Sequence, residues 1–319
     1  AKAAGPKKNA DKAAQNPLLK PWRTPFKAPP FASIEPRHFR PAFDAALKEH
    51  KKELAEIAGR AAKPTFANTI VALEKSGVLL TKVADVFFNL TSADTNAALQ
   101  AIERELSPRL AKHQSAMMLD RRLFLRIADL YERRDDLSLD AEGLRLLERT
   151  YKSFVRAGAK LGAKARKRIA EINTELATLG TSFNQNVLAD EQAWHLFLDG
   201  DRDLDGLPGS VRDAAAQAAV SLGKPGSYAI TLARSSVEPF LQFSARRDLR
   251  EEAWKAWIKR GELGGKTDNR AIVVRMMELR SELAHLLGYE TFAAYVLDDT
   301  MAKTPASVRA LLDKVWPPA

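Results

Sequence analysis

Apolar side chains that recur every three or four residues constrain the fold of residues 36–190 more than any other feature of the sequence. One such stripe begins at Ile70 and ends at Phe87, and a second begins at Ile169 and ends at Phe183. This spacing places the apolar residues on one face of an α-helix, which a globular chain must bury. Gly77 lies on the first stripe, where its missing side chain would let a neighbouring helix approach closely. The same periodicity predicts further helices at about 38–58, 95–117, 120–133 and 139–158.

Residues 191–235 have a different character. The apolar run 194–198 is followed by the turn signal Asp199-Gly200-Asp201, and the β-rich run 228–232 follows a cluster of Gly and Pro. Short apolar runs bounded by turn residues are typical of strands. We therefore expect a small β insertion near 193–232, with a short helix at about 209–222 between its two strands.

Helical signals return from about residue 236. Asp248 followed by Glu251 resembles a capping box, and Asp268 and Thr304-Pro305 are good helix starts. A further apolar stripe ends near Gly288. The fold class predicted is mainly α, a large multi-helix array with a small β insertion. The sequence divides into a flexible basic and Pro-rich lead-in (1–31), a helical domain (32–190), a mixed segment (191–235) and a second helical segment (236–319).

The net charge of +10 is concentrated in the lead-in, so the rest of the chain is nearly balanced. A nucleic-acid interface needs basic residues clustered on one face, and no such partner is expected. Residues 1–15 carry almost no large apolar side chain and are expected to be flexible. The prolines that follow favour an extended strap, which Leu18, Leu19, Trp22 and Phe26 could attach to the helices. No apolar run is long enough to span a membrane.

The sequence contains no recognisable catalytic site. None of its five histidines is followed by Glu, so the His-Glu-x-x-His zinc motif is absent, and the 319 residues include no Cys. Nucleophile elbows and phosphate-binding loops are also missing. We interpret the acidic pairs Asp135-Asp136 and Asp298-Asp299 as stabilising helix N-termini, and a basic stretch as a solvated helix face. That stretch consists of Arg156, Lys160, Lys164, Arg166, Lys167 and Arg168. No residue is assigned a catalytic, cofactor-binding or metal-binding role.

Many short segments nevertheless resemble the amino-terminal half of the thimet-oligopeptidase-like family of zinc metallopeptidases, and most closely its peptidyl-dipeptidases. No segment is diagnostic alone, but the segments follow one another in the order and spacing of that family over nearly the whole chain. The segments are 16–19, 30–31 with Ile34, 38–44, 66–70 with 73–77, 87–88, 154–161, 183–186, 206–208, 249–251, 268–269, Arg280 with 286–289, and 301–305.

The resemblance implies a mostly helical, two-lobed peptidase with a deep channel, in which the second half holds zinc through His-Glu-x-x-His. It implies release of C-terminal dipeptides from short oligopeptides. We expect this chain to be the part that shapes the channel, to end before the zinc-binding half, to bind no zinc and to be inactive alone. Its expected partners are short oligopeptides and the missing carboxy-terminal half. The alternative is a non-catalytic helical module that binds peptides or a partner protein. A bacterial cytoplasm and a periplasm both remain open as compartments.

Overall fold

A computed structural model describes residues 16–319 and shows a mainly α-helical chain with a two-stranded antiparallel sheet. The predicted fold class is confirmed. No helix among the described residues is both long enough and apolar enough to cross a membrane. The helices are α1 Phe39–Ala58, α2 Val78–Ala93, α3 Ala97–Met118, α4 Arg121–Glu132, α5 Ala141–Arg156, α6 Ala163–Ala193, α7 Gly209–Ser221, α8 Arg234–Phe243, α9 Arg247–Ile258, α10 Arg270–Leu286, α11 Phe292–Leu297 and α12 Pro305–Val315; the strands are β1 His195–Leu198 and β2 Tyr228–Thr231. Short helical turns occupy Pro17–Leu19, Pro25–Lys27, Phe31–Ser33, Pro36–His38, Phe66–Val71, Ala72–Glu74, Arg134–Asp136, Asp201–Leu204 and Gly265–Thr267.

The described chain divides into two compact units. Residues 16–178 together with Leu279–Ala319 form unit 1, and Leu179–Glu278 form unit 2. Helices α6 and α10 each run across a boundary between the units, so the boundaries do not coincide with loops. The division at 31, 190 and 235 that the sequence suggests remains a prediction.

Unit 1 contains two apolar cores. In the first, Phe39 and Phe43 of α1 pack edge-on against Phe87 of α2, with ring centroids 4.9 and 5.5 Å apart. In the second, helices α4 and α5 bury apolar side chains against Ile70. Arg126 of α4 is also buried there, and it donates hydrogen bonds to the carbonyl oxygens of Arg60 and Ala62 at 2.9 and 3.1 Å. Hydrogen bonds from a charged donor stabilise more than neutral ones, so this side chain fixes the loop after α1.

The predicted continuous helix from Ile70 to Phe87 is wrong at Gly77. This residue has a φ of +73° and precedes α2, so the chain breaks there into two helical pieces. Such a backbone conformation suits Gly because it has no Cβ. The predicted close approach does occur, but by a side chain instead of a helix. A Cβ at residue 77 would lie 3.0 Å from the His50 ring.

The lead-in forms short 3₁₀ turns from residue 17 onward instead of the extended strap that the prolines suggest. Leu18 is fully buried in the first core, and Leu19 and Trp22 pack against it. Phe26 is fully exposed and has a positive φ, so its expected anchoring role is wrong. The prediction of flexibility for residues 1–15 lies outside the described residues.

Unit 2 contains the predicted β insertion. Strands β1 and β2 pair with Leu196 opposite Ile230, and α7 lies between them in the chain, as expected. Leu198, Ile230 and Phe240 contribute to a third apolar core. The predicted capping box is wrong, because α9 begins at Arg247 and Asp248 pairs instead with Arg246 at 2.6 Å.

Candidate functional site

Two histidines of unit 1 form a polar cluster that the sequence does not reveal. His50 on α1 and His113 on α3 lie with Nδ1 and Nε2 2.9 Å apart, so one ring donates an N–H to the other. The Ser76 hydroxyl lies 3.3 Å from His50 Nε2. Burial lowers the pKa of both imidazoles, and each positive charge near His113 lowers its pKa further. The pair is therefore suited to the neutral state.

The glutamate beside this pair serves the backbone. Glu53 accepts a hydrogen bond from the Gly77 N–H at 2.8 Å, which holds the chain at the break before α2. Its negative charge raises the pKa of His50, although burial has the larger, opposite effect. The cluster thus joins α1, α3 and the turn before α2. The residues of this cluster are far apart in the sequence, so they form no local motif. The only sequence feature that points to the cluster is the Gly at position 77 within the apolar stripe.

The donor set required for a peptidase zinc site is not assembled within residues 16–319. No three His, Asp or Glu side chains in that range lie close enough to hold a metal ion. His38 accepts a hydrogen bond from the Glu35 N–H at 3.0 Å, while His195 lies on β1 and His285 on the last turn of α10. These residues do not fit zinc, which prefers four ligands around one point. No catalytic step can therefore be assigned to a metal on this part of the chain.

The acidic pair Asp298-Asp299 does not stabilise a helix N-terminus, so that interpretation is wrong. Both residues follow the end of α11 and pair with basic residues of α5. Arg156 contacts Asp298 at 2.6 Å, and Asp299 lies 2.8 and 2.7 Å from Arg149 and Lys152. The two cations hold the pKa of Asp299 well below its usual range. These ion pairs attach the segment after α10 to α5 within unit 1.

The predicted solvated basic face is only partly present. Arg156 is largely buried against Tyr295, whose backbone carbonyl accepts a hydrogen bond from it at 2.7 Å. Arg168 forms a two-pronged pair with Glu282 at 2.6 and 2.7 Å. Two members of the stretch thus link elements of unit 1, because a planar guanidinium matches a carboxylate at two points. Asp135 and Asp136 lie in the three-residue 3₁₀ turn Arg134–Asp136, which is too short to have separate ends, so the dipole interpretation of this pair stays a prediction.

A buried carboxylate organises the loop before α10 in unit 2. Asp190 accepts hydrogen bonds from the Gly261 N–H at 2.7 Å and from the Thr267 hydroxyl at 2.6 Å. Asn269, also buried, donates to the Phe183 carbonyl at 3.0 Å. The loop ends are therefore fixed to α6, and α10 starts at a defined position.

Large apolar side chains remain exposed mostly in the last quarter of the sequence. On α9 these are Trp254 and Ile258, and on α10 of unit 2 they are Val273, Val274 and Met277. The apolar side chains of α12, in unit 1, recur at steps of three and four, yet none is buried. We call this set the α12 face: Val308, Leu311, Leu312, Val315 and Trp316. Clustered exposed apolar surface is typical of an interaction site.

Comparison with known proteins shows which family part of this chain resembles. The model of the family described as "Peptidase family M3" matches residues 240–317. That range contains most of the exposed apolar side chains described above. Residues 240–317 are therefore similar to the M3 peptidases, a family of zinc metallopeptidases.

The similarity to individual peptidases extends over nearly the whole chain. The chain is 38% identical to the dipeptidyl carboxypeptidases of Salmonella typhimurium and Escherichia coli, over 95% of its own length and 45% of theirs. It is 31% identical to a probable cytosolic oligopeptidase A of Arabidopsis thaliana, over 97% of its length and 44% of that relative. The predicted resemblance to the amino-terminal half of such peptidases is confirmed. The chain spans less than half the length of these curated relatives.

Proposed function

We propose that this chain is the amino-terminal portion of a zinc-dependent peptidyl-dipeptidase that releases C-terminal dipeptides from short oligopeptides. The similarity to two dipeptidyl carboxypeptidases over 95% of the chain carries the proposal. The zinc ligands and the water-activating glutamate would lie in the missing carboxy-terminal half. The part present here would form one wall of the substrate channel and narrow its entrance.

The α12 face supports docking of that missing half. An amphipathic helix normally buries its apolar stripe against another element, but α12 buries no side chain within the described residues. The anchor that precedes it is secure, because Asp298 and Asp299 both pair with α5. A helix held at a fixed place with an uncovered apolar face is suited to receive a partner surface.

Unit 2 supports the same proposal independently. Val273, Val274 and Met277 lie on the exposed side of α10, within the segment that the family model matches. The buried Asp190 network fixes the loop before them. Rigid presentation of apolar side chains lowers the entropy cost of forming an interface.

Reconstitution tests the proposal. The purified chain is mixed with the separately produced carboxy-terminal half of the Escherichia coli dipeptidyl carboxypeptidase, with added zinc. Dipeptide release from an N-blocked oligopeptide is then measured by mass spectrometry. We expect no hydrolysis by the chain alone and zinc-dependent release by the mixture that exceeds the background of the carboxy-terminal half alone.

Two results would contradict the proposal. One is robust zinc-dependent dipeptide release by the chain alone. The other is a mixture in which sedimentation shows no complex and hydrolysis equals that of the carboxy-terminal half alone. Saturable binding of unstructured peptides without any such complex would instead favour the non-catalytic binding module.

A further inference from the structure

A groove in unit 1 combines an apolar floor with a basic rim, and neither the peptidase similarity nor the histidine pair accounts for it. It has a volume of about 640 Å³ and lies between α1, α3 and the start of α4. This volume is in the range of known ligand sites, roughly 300–1,000 Å³. Its apolar residues are Leu47, Leu54, Ala55, Ala116, Met117 and Leu123.

Four basic residues line the rim without partners of their own. They are Lys48 and Lys51 on α1, Lys112 on α3 and Arg122 on α4. None of the four side chains makes a hydrogen bond or an ion pair within residues 16–319. Arg109, which also lines this groove, is by contrast paired with Asp44 and Glu105. The uncompensated charge is therefore a local property of the rim.

The acid at the groove does not neutralise this charge. Asp120 is the one acidic residue among the described residues that line it, and its carboxylate caps α4 by accepting hydrogen bonds from the Arg122 and Leu123 N–H groups. His113 also faces the groove, but its pairing with His50 and its lowered pKa keep it suited to the neutral state. A ligand in the groove thus meets positive charge on both sides and apolar side chains below.

We propose that this groove binds acidic peptide segments that also carry apolar side chains. Lys48 and Lys51 are three residues apart on α1, which separates them by about 4.5 Å along the helix axis. Lys112 and Arg122 lie on the other helices of the rim. A ligand with one carboxylate would satisfy only part of this charge. An extended peptide with acidic residues at alternate positions places them about 6.7 Å apart and directs the intervening side chains to the opposite face.

Other ligand classes fit less well. Among the described residues, no Phe, Tyr or Trp lines the groove, so nucleic-acid bases would find no aromatic side chain on which to stack. Phosphate contacts alone would not use the apolar floor. The groove is partly open to solvent, whereas a cavity for a single alkyl chain would enclose it.

Fluorescence anisotropy of labelled hexapeptides tests the inference with the full chain. We expect saturable binding of an acetylated peptide of alternating Glu and Leu. The matched peptides with Gln in place of Glu, or Ser in place of Leu, should each bind at least tenfold more weakly. Electrostatic attraction weakens with salt, so affinity for the Glu-Leu peptide should fall between 50 and 500 mM NaCl.

Charge reversal on the rim supplies the matched variants. Lys51→Glu combined with Lys112→Glu should weaken binding at least tenfold. Lys63→Glu combined with Lys75→Glu makes the same change in net charge at exposed positions outside the groove, and it should weaken binding less than twofold. Ala116→Trp, at an exposed position of the floor, should block the groove and abolish binding while the circular dichroism spectrum stays unchanged.

Several outcomes would overturn the inference. They are equal binding of the Gln-Leu peptide, equal loss in the two double variants, no saturable binding, or retention of binding by Ala116→Trp. Displacement of the peptide by decanoate at comparable concentration would reassign the groove to small amphiphilic acids. None of these readouts uses hydrolysis, so the result is independent of reconstituted peptidase activity.

Discussion

Replacing Leu311 and Leu312 by Ser tests whether the α12 face docks a partner. The two side chains are 61% and 57% exposed in this chain. Complete burial of a Leu contributes about 1.5–3 kcal/mol, so covering the exposed part of each would contribute about 0.9–1.8 kcal/mol. Together they would contribute about 1.8–3.5 kcal/mol, which corresponds to about 20- to 300-fold in the dissociation constant.

The assay is a titration with the carboxy-terminal half described above, followed by restored dipeptide release and by sedimentation. In the isolated chain the same double variant should shift the free energy of unfolding by less than about 0.5 kcal/mol, because the replaced side chains are already solvated. Leu125→Ser is the control, since Leu125 is 50% exposed on α4. It should leave the dissociation constant unchanged.

Unchanged affinity in the Leu311→Ser/Leu312→Ser variant would refute the reasoning, because the face would then remain solvated in the complex. Equal weakening by Leu125→Ser would also refute it, because the effect would not be specific to α12. A large loss of stability in the isolated chain would show that α12 packs against the chain itself.

Two further predictions concern the cluster around Gly77. Gly77→Ala should lower the free energy of unfolding by about 1–3 kcal/mol in urea, because it combines a positive φ with a Cβ 3.0 Å from the His50 ring. The control Gly180→Ala lies in the open interior of α6 and should raise the free energy of unfolding by about 0.5–1 kcal/mol. Equal effects of the two substitutions would contradict this account. Because the folded pKa of His50 and His113 is lowered, below about pH 6.5 the unfolded state binds more protons. Stability should therefore fall as the pH falls from 7.5 to 5.5. In the variant His50→Gln/His113→Gln, the urea midpoint of unfolding should depend less on pH than in the unmodified chain. The control His285→Gln, at an exposed position, should keep the pH dependence of the unmodified chain. An identical pH dependence of the midpoint in the unmodified chain and both variants would exclude the histidine pair as the cause.

Helix positions could be predicted from the sequence because apolar periodicity is a local signal. The helix expected at about 120–133 is observed as Arg121–Glu132, and the one at about 139–158 as Ala141–Arg156. Thr304 caps α12 by accepting a hydrogen bond from the Ser307 N–H at 3.2 Å, as its place before Pro305 indicates. Helix caps, prolines and apolar stripes act within one or two helical turns, so the residues that determine them are close together in the sequence.

Predictions failed where an ion pair competes with a helix cap for the same carboxylate. Asp248 has the spacing of a capping residue, but Arg246 pairs with it and lowers its pKa to about 2. Asp298 and Asp299 resemble helix-start residues, yet they pair with α5, which is far away in sequence. An ion pair and a helix cap use the same carboxylate oxygens. The sequence does not show whether a cationic side chain or the N–H groups of a helix N-terminus lie close to them in the fold.

The candidate docking and binding surfaces belong to the part that sequence alone could not reveal. The apolar steps of the α12 face are visible as a pattern, but the pattern predicts burial, whereas the structure shows exposure. The basic groove joins three helices, and its charge is significant only because Lys48, Lys51, Lys112 and Arg122 have no acidic partner within the part of the chain that the structure describes. Exposure and the absence of a partner are properties of the packed chain. Both surfaces therefore had to be found in the structure.

The stability of α12 itself argues for a covered face in the functional assembly. An isolated helix of eleven residues is marginal in water, since helices shorter than about 12–15 residues rarely repay the cost of nucleation. The Thr304 cap contributes only about 1 kcal/mol, and no side chain of α12 is buried to supply the remainder. The ion pairs of Asp298 and Asp299 fix the chain before the helix but make no contact with its apolar side. The missing stabilisation would come from burial of Leu311, Leu312 and Trp316 against another surface, which the proposed carboxy-terminal half would provide.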